Sequence, residues 1–377
     1  MTAAAPIYAD KRMFYAPEFR VTVGKDEPTR RINDILDVTF NDEINTIDSF
    51  EITLSNWDAT DRTFKYEPPL ERFQHLIEPD YRINIEMGYG GEAALHLMSR
   101  SVITAIEPNY PESGAPTLAV RGQHLLHRAE RRQYRKDWQN LSDSEVAQKL
   151  ANVKDADQPG LDLPIVIDES AKEREPKETI SLDNISVVAF LRERAHRRGY
   201  VFYVDPTDPK NEHLYFGPSD RPGRTQYSLN WGATLISFRP TFAVSQQSKR
   251  VSVYGFDRST GKKVAATAEF PRDCSLNPEK LPPEDSHDII TDPPARSQDE
   301  AEKHANEILS NLRRKVIEAS GSTIGLPDLR AGSYVQIGGL GKDSRFTGRY
   351  FVTKTTHTIG SGGYTTSFEA RREDTET

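Results

Sequence analysis

The 377-residue chain is long enough for two or three domains with a sizeable buried core. Hydrophobic residues make up 36% and charged residues 28%, and no apolar run approaches the 18 residues of a membrane helix, so a membrane-spanning helix is not expected. A net charge of −8 argues against a general nucleic-acid binder, and a single cysteine, Cys274, excludes an internal disulfide or a two-thiolate site. The opening MTAAAPIYADKRM lacks the apolar centre of a signal peptide, so folding in the cytoplasm is expected.

Residues 1–122 read as strands. Phe19–Val23, Ile35–Phe40 and Phe50–Leu54 are short alternating runs. Tyr81, Ile83, Ile85 and Met87 alternate with Arg82, Asn84 and Glu86, the two-residue period of a half-buried strand. SVITAIEP and TLAVRG follow across the turn-rich NYPESGAP, and this spacing predicts a small barrel or sandwich.

Residues 123–235 change character to α+β. SDSEVAQKLA opens on a capping box, Ser142 and Glu145. ISVVAFLRERAHRRG predicts a second helix stopped by Gly199, which feeds the strands YVFYVD and HLYFG. Strands return from residue 225 with ATLISFRP, RVSVYGFD and KKVAATAEF, and the third part of the chain is residues 236–377. Residues 277–296 are rich in Pro and acids and predict a surface loop. A helix is predicted near 297–320, with Ser297 and Glu300 as its capping box, a stripe from Ala301 to Val316, and Gly321 as its end.

The two β-rich ends echo one another. INIEMGYGG, SVITAIEP and TLAVRG run parallel to SYVQIGG, YFVTKTTH and YTTSFEA. Aligning Met87 with Ile337, Ser101 with Tyr350, Ile103 with Val352 and Leu118 with Thr366 leaves lags that differ by one residue. This spacing suggests a duplicated barrel; the alternative is two hairpins alike by chance.

Residues that could carry chemistry each have a plainer reading. Gly88, Gly90 and Ala93 form G-x-G-x-x-A after a strand, but a dinucleotide loop needs a long helix next, and here another strand follows. His124, His127 and Glu130 could share a helix face, and two His with one Glu is a known zinc set. The next residues carry five basic side chains, Arg128, Arg131, Arg132, Arg135 and Lys136, which disfavour a nearby cation and read as a solvated face or a protein interface. His357 lies in TKTTHTIG, where alternation would set Thr353, Thr355 and His357 on one side and Val352, Lys354 and Thr356 on the other. No Ser or acid is committed to that His by spacing, there is no G-x-S-x-G elbow, and the glycines at 360, 362 and 363 suit a hairpin tip. No catalytic, cofactor or metal residue is therefore assigned, no cofactor is expected, and the chain reads as a non-enzyme.

The stretch AGSYVQIGGLGKDSRFTGRYFVTKTTHTIGSGGYTTSFEARR resembles the terminal signature of the phage late-control protein D family. A strand ends in Gly, then Gly-x-Tyr-x-Val, a His and Gly-Tyr-x-Thr-x-Phe follow. Here these fall on Gly338, Gly348, Tyr350, Val352, His357, Gly363, Tyr364, Thr366 and Phe368. YAPEFRVTVG, DSFEITLSNWD, AFLRERAHRRGYVFYVD and LISFRPTFAVSQQSKRVSVYGFD resemble other parts of the same family in the same order. The resemblance implies a mainly β fold with an α+β middle: a tube-like barrel in 1–122, an α+β domain in 123–235, and a second tube-like barrel in 236–377. It implies the central hub of a contractile tail or injection-system baseplate, as in myophages, R-type pyocins and VgrG proteins of type VI secretion. Such a hub is a homotrimer whose six barrels join a hexameric tail tube to a trimeric spike, with baseplate wedge proteins around it. It is assembled in the bacterial cytoplasm and becomes a component of a virion or tail-like particle. Because the chain ends directly after the second barrel, the spike is expected to be a separate polypeptide. The competing readings are a baseplate-associated cell-wall hydrolase and a carbohydrate-binding module.

Overall fold

The computed structural model describes residues 5–6, 16–66, 77, 79–91, 94–151, 153–155, 157–205, 212–219, 226–242, 248–257, 260–269, 286–295, 297–314, 316–341 and 344–373. The fold is mainly β, dominated by a 14-stranded sheet.

The first end contributes β1 (Pro17–Gly24), β2 (Ile35–Glu43), β3 (Ser49–Ser55), β4 (Arg82–Tyr89), β5 (His96–Asn109) and β6 (Thr117–His124). They pair antiparallel in the order β1-β4-β5-β6-β3-β2. Period-two alternation turns Val21, Val38, Phe40, Ile52, Ile83, Ile85, Met87 and Val120 to one side, where they share a single core. Strands at opposite ends of the pairing order share this core, which requires the sheet to wrap around it as an open barrel. Gly122 marks a tight point, because a Cβ there would sit 2.1 Å from the Val102 carbonyl oxygen and 2.4 Å from the Phe50 ring. Gly122→Ala should therefore cost about 1–3 kcal/mol through forced repacking, measured by urea unfolding; a loss below about 0.5 kcal/mol would mean that β5 and β6 can separate at little cost.

The middle holds β7 (Tyr134–Leu141), α1 (Asp143–Leu150), β8 (Ile165–Ile167), α2 (Glu169–Arg174), β9 (Glu178–Ile185), α3 (Val187–Arg198), β10 (Val201–Asp205) and β11 (His213–Gly217). Ser142 caps α1 with the full reciprocal box to Glu145, and Gly199 ends α3 in the left-handed region at φ 65°. Val187, Phe190 and Leu191 of α3 pack with Trp138, Phe202 and Phe216 in a second core.

The second end contributes β12 (Gln226–Asn230), β13 (Leu235–Phe242), β14 (Arg250–Asp257), β15 (Lys262–Glu269), β16 (His287–Ala295), α4 (Gln298–Arg314), β17 (Ile317–Ile324), β18 (Tyr334–Gly338), β19 (Gly348–Gly360) and β20 (Gly363–Arg372). Here the order is β12-β18-β19-β20-β17-β13, the first end's order repeated, except that β12 and β18 run parallel. A third core, with Leu229, Leu235, Val335, Ile337, Tyr350, Val352 and Phe368, lies inside it. Between β13 and β17 the chain makes a separate layer, where α4 lays Ala301, Ala305 and Leu309 on Val251, Val253, Val264 and Ala266.

The structure changes several expectations. The surface loop predicted over 277–296 ends early: His287–Ala295 is β16, paired parallel with β14, while 277–285 lie outside the described residues. Parallel pairing gives Ile289 and Ile290 a ladder that local composition cannot announce. The last helix stops at Arg314 rather than near 320, and Val316 and Gly321 are not in it. Residues 317–324 lie between β13 and β20 in the sheet, and those two ladders outweigh the local helical pattern. The echo holds for β5/β19 and β6/β20 in the predicted alignment, but pairing register matches Ile85, not Met87, with Ile337.

Candidate functional site

The two barrels are joined edge to edge. β19 is long enough to pair with β18 through its first half and with β2 through its second, from Lys354 opposite Glu43 to Ile359 opposite Val38. A buried polar cluster sits behind this seam. Arg330, on the loop between β17 and β18, is 2% exposed. Its Nε donates to Asp42 Oδ2 on β2, Nη1 donates to the Met98 carbonyl on β5 (3.0 Å), and Nη2 reaches Asp48 Oδ2 (3.5 Å). Its guanidinium lies 4.6 Å over the Phe40 ring. Asp42 also accepts from the Ala331 N–H (3.1 Å) and from the Thr355 hydroxyl on β19. One carboxylate of the first barrel thus receives three donors from the second, the arrangement a buried ion pair needs to offset its desolvation.

The cluster extends to the middle domain. The His124 N–H donates to the Asp48 carbonyl (2.9 Å) and its Nδ1 accepts from Leu126 N–H (3.0 Å). Its Nε2 lies 3.1 Å from Glu212 Oε1, off the axis of a good hydrogen bond, so the contact is an ion pair. Burial alone would lower the His124 pKa, but Glu212 more than reverses this and holds it above its usual value; burial would raise Glu212, and His124 holds it below. Burial, with Asp42 nearby, pushes Asp48 up to about 7.

His357 is fully buried in the wall of the second barrel. Its Nε2 lies 3.1 Å from the Leu329 carbonyl and 3.2 Å from Thr355 Oγ1; its Nδ1 lies 3.0 Å from the Tyr364 hydroxyl and 3.2 Å from Thr366 Oγ1. Burial drives its pKa down to about 4, so the ring is a neutral crosslink between β19, β20 and the Arg330 loop. The predicted alternation fails at one point: a β-bulge at Thr353 brings Val352 to the inward side along with Thr355 and His357.

The other candidates fall apart as sites. Gly88 lies in β4, which ends at Tyr89, Gly90 turns at φ 83°, and β5 follows at His96, so the G-x-G stretch is a hairpin; Ala93 lies outside the described residues. His127 sits 3.8 Å from Glu130, which accepts from Arg192 (3.1 Å), while His124 faces Glu212, so the three do not converge. Among the described residues no three His, Cys, Asp or Glu side chains gather as a metal set. The basic run is spent on separate acids: Arg131 on Asp80 (2.9 Å), Arg132 on Asp157 (3.8 Å) and Arg135 on Asp183 (3.5 Å). Concavities of about 280 and 310 Å³ lie on the polar face of β13, β17, β19 and β20, and neither includes a histidine. No helix among the described residues is long and apolar enough to cross a membrane. His124→Ala should cost about 2 kcal/mol, because it strands Glu212, while His127→Ala should change stability by under ~0.5 kcal/mol. Equal losses in parallel denaturant titrations would show that the two histidines share one environment.

Sequence reasoning missed Asp42, Asp48, Glu212 and Arg330. The contact between Arg330 and Asp42 spans 288 positions of sequence, and nothing local marks either residue.

The fold is shared with the 43 kDa tail protein of prophage MuSo2 from Shewanella oneidensis (TM-score 0.69, 13% identity, 95% of this chain and 98% of that one). It is shared with the tail protein from Neisseria meningitidis MC58 (TM-score 0.66, 12% identity, 95% and 97%). It is also shared with an E. coli component of the type VI secretion system that exhibits structural similarity to the T4 bacteriophage tail proteins gp27 and gp5 (TM-score 0.59, 12% identity, 94% and 77%). No curated protein matches the sequence. The family model of the Alg8 N-terminal domain matches residues 18–361, and the chain belongs to that family.

Proposed function

We propose that the chain is the central hub of a contractile tail or injection-system baseplate: a homotrimeric, non-enzymatic adaptor between a hexameric tail tube and a trimeric spike. In this reading residues 1–122 and 236–377 are two tube-like barrels, the second completed by β12, the rest of 123–235 is an α+β domain, and the late-control protein D family is the functional model. The observation that carries it is the repeated strand order, with the second copy joined to the first along an open edge at β2 and β19. Two similar barrels set side by side occupy two adjacent places of a ring, and three chains fill six. The likeness of fold to phage tail proteins supports the reading, as does the likeness to the E. coli secretion component. The Arg330 cluster fits the same role, because a ring needs a fixed angle between its two barrels. Wedge proteins would surround the ring, tube on one side and spike on the other.

A reconstruction of the assembled baseplate tests this. Three copies in one layer, with six barrels around a channel, are expected. Six copies at that level, or one barrel per chain lying outside the ring, would overturn the adaptor reading.

A further inference from the structure

The two barrels match in strand order and in the positions of their bulges, and besides the parallel pairing of β12 the match breaks where their edges meet. Thr104 is a bulge in β5 whose hydroxyl donates to the Arg121 carbonyl (3.4 Å); Thr353 is a bulge in β19 whose hydroxyl donates to the Glu369 carbonyl (3.1 Å). Leu36 is a bulge in β2, 48% exposed, and Ile236 is a bulge in β13, 59% exposed. Through these ladders β13 is the counterpart of β2, and Ala105–Asn109 of β5 is the counterpart of Lys354–Thr358 of β19. Within the chain β2 pairs with that half of β19. Its counterparts do not meet: among the described residues β13 pairs with β17 and, by a single bridge from Leu235, with Trp231, and Ala105–Asn109 pairs with β6. Among the described residues, two edges thus stay apart where the first junction has them joined.

We infer that β13 of one copy pairs antiparallel with residues 105–109 of a second copy, in the register that β2 holds on β19. This rests on the trimeric reading above and adds the strands that make the interface. Carrying the register across sets Ile106 opposite Phe242, Glu107 opposite Thr241, Pro108 opposite Pro240 and Asn109 opposite Arg239. The chemistry of the two edges agrees. Ile106 and Phe242 are both half-buried and apolar. Arg239 falls diagonal to Glu107, within reach of an opposite-charge pair across strands, as Lys354 faces Glu43 (3.9 Å) at the junction inside the chain. The two prolines fall on the same rung. An edge carrying Pro rejects most strands because one donor is missing, and here the donor-free position of each edge meets that of the other. The contact is heterologous and repeats the step between the two barrels of one chain, so it closes when the ring is complete.

Cysteine crosslinking of the full chain tests the register. On a Cys274→Ser background, Glu107→Cys with Thr241→Cys places two exposed positions opposite one another, at the Cα spacing of antiparallel partners (~4.5–5.5 Å), which a disulfide spans. Oxidation should convert most of the chain to a covalent trimer, at least about tenfold more than either single-cysteine variant. Glu107→Cys with Ser237→Cys is off register by four residues, ~13 Å along the strand, and should link no more than the single variants. A trimer by native mass whose on-register pair links no better than these controls would overturn the strand pairing and leave the trimer intact. A chain that forms no trimer at any concentration, alone or in an assembled baseplate, overturns both.

Discussion

Arg330→Met should destabilise the chain by about 3–5 kcal/mol, the usual cost of stranding one member of a buried ion pair. The guanidinium is fully enclosed and bonds Asp42, Asp48 and the Met98 carbonyl. Methionine fills much of the volume but donates nothing, so the Asp42 carboxylate keeps only the Ala331 N–H and the Thr355 hydroxyl. Adding Asp42→Asn should return a large part of the loss, because the orphaned charge is then gone. The double variant should therefore be more stable than Arg330→Met alone, and a double-mutant cycle in urea should give a coupling of about 2 kcal/mol or more. A loss under ~1 kcal/mol for Arg330→Met would mean that water reaches the pocket. Strictly additive effects would mean that the two residues do not depend on each other.

The consequence is mechanical. Arg330 belongs to the second barrel, Asp42 and Met98 to the first, and His124 with Glu212 extends the same cluster to the α+β middle. The middle hairpin adds backbone ties: Asn45 N–H donates to the Phe202 carbonyl (2.7 Å), and Phe202 N–H to the Asn45 side chain (2.9 Å). The apolar cores, one of them shared by the middle hairpin and the second barrel through Tyr203, Tyr215, Tyr334 and Phe351, are locked by polar groups satisfied only when all the parts are docked. Apolar packing alone is indifferent to small rotations; a satisfied ion network is not.

What was legible in the sequence was what local physics encodes. The alternation through Ile83, Ile85 and Met87, the box at Ser142, the Ser297 hydroxyl that accepts from Glu300 N–H and the left-handed stop at Gly199 are decided by neighbours a few residues away. Where long-range pairing decides, local reading failed. Residues 317–320 carry a helical continuation yet lie between two strands, and the Pro-rich 287–295 becomes a strand through one parallel partner. The polar cluster had no local signal at all, because a loop arginine reads as solvated until a carboxylate 288 positions away closes over it. His357 was visible, and its neutral role is set by burial between strands that only the closed barrel brings together.

Acidification should act on His357 and Asp48 with opposite signs. His357 titrates near 4 in the fold against about 6.5 in the unfolded chain. Between these values the unfolded chain binds a proton that the folded chain does not, so stability falls as pH falls, by about 3 kcal/mol over the window. Asp48 titrates near 7 in the fold against about 3.8 unfolded. There the folded chain holds the extra proton, so stability rises as pH falls from about 7 towards 4, and is lost again as pH rises through 7. The wild type should consequently show a shallow pH dependence between 6.5 and 4.5 from this pair. Asp48→Asn removes the rising contribution and leaves His357, so this variant should weaken on acidification, its unfolding constant growing up to tenfold per pH unit relative to wild type. His357→Gln removes the falling contribution, and that variant should instead gain stability relative to wild type over the same range. The other titrating groups are common to the three proteins. Asp48→Asn also removes a charge that helps hold His124 up, a change in the same direction as the loss of its own rising contribution only where His124 titrates, so the slopes are compared between pH 4.5 and 5.5 as well as over the whole range. Urea midpoints at pH 4.5, 5.5 and 6.5 are sufficient to read the slopes. Three parallel profiles would mean that neither group is held away from its ordinary titration by the junction, and the buried cluster would lose its part in holding the barrels together.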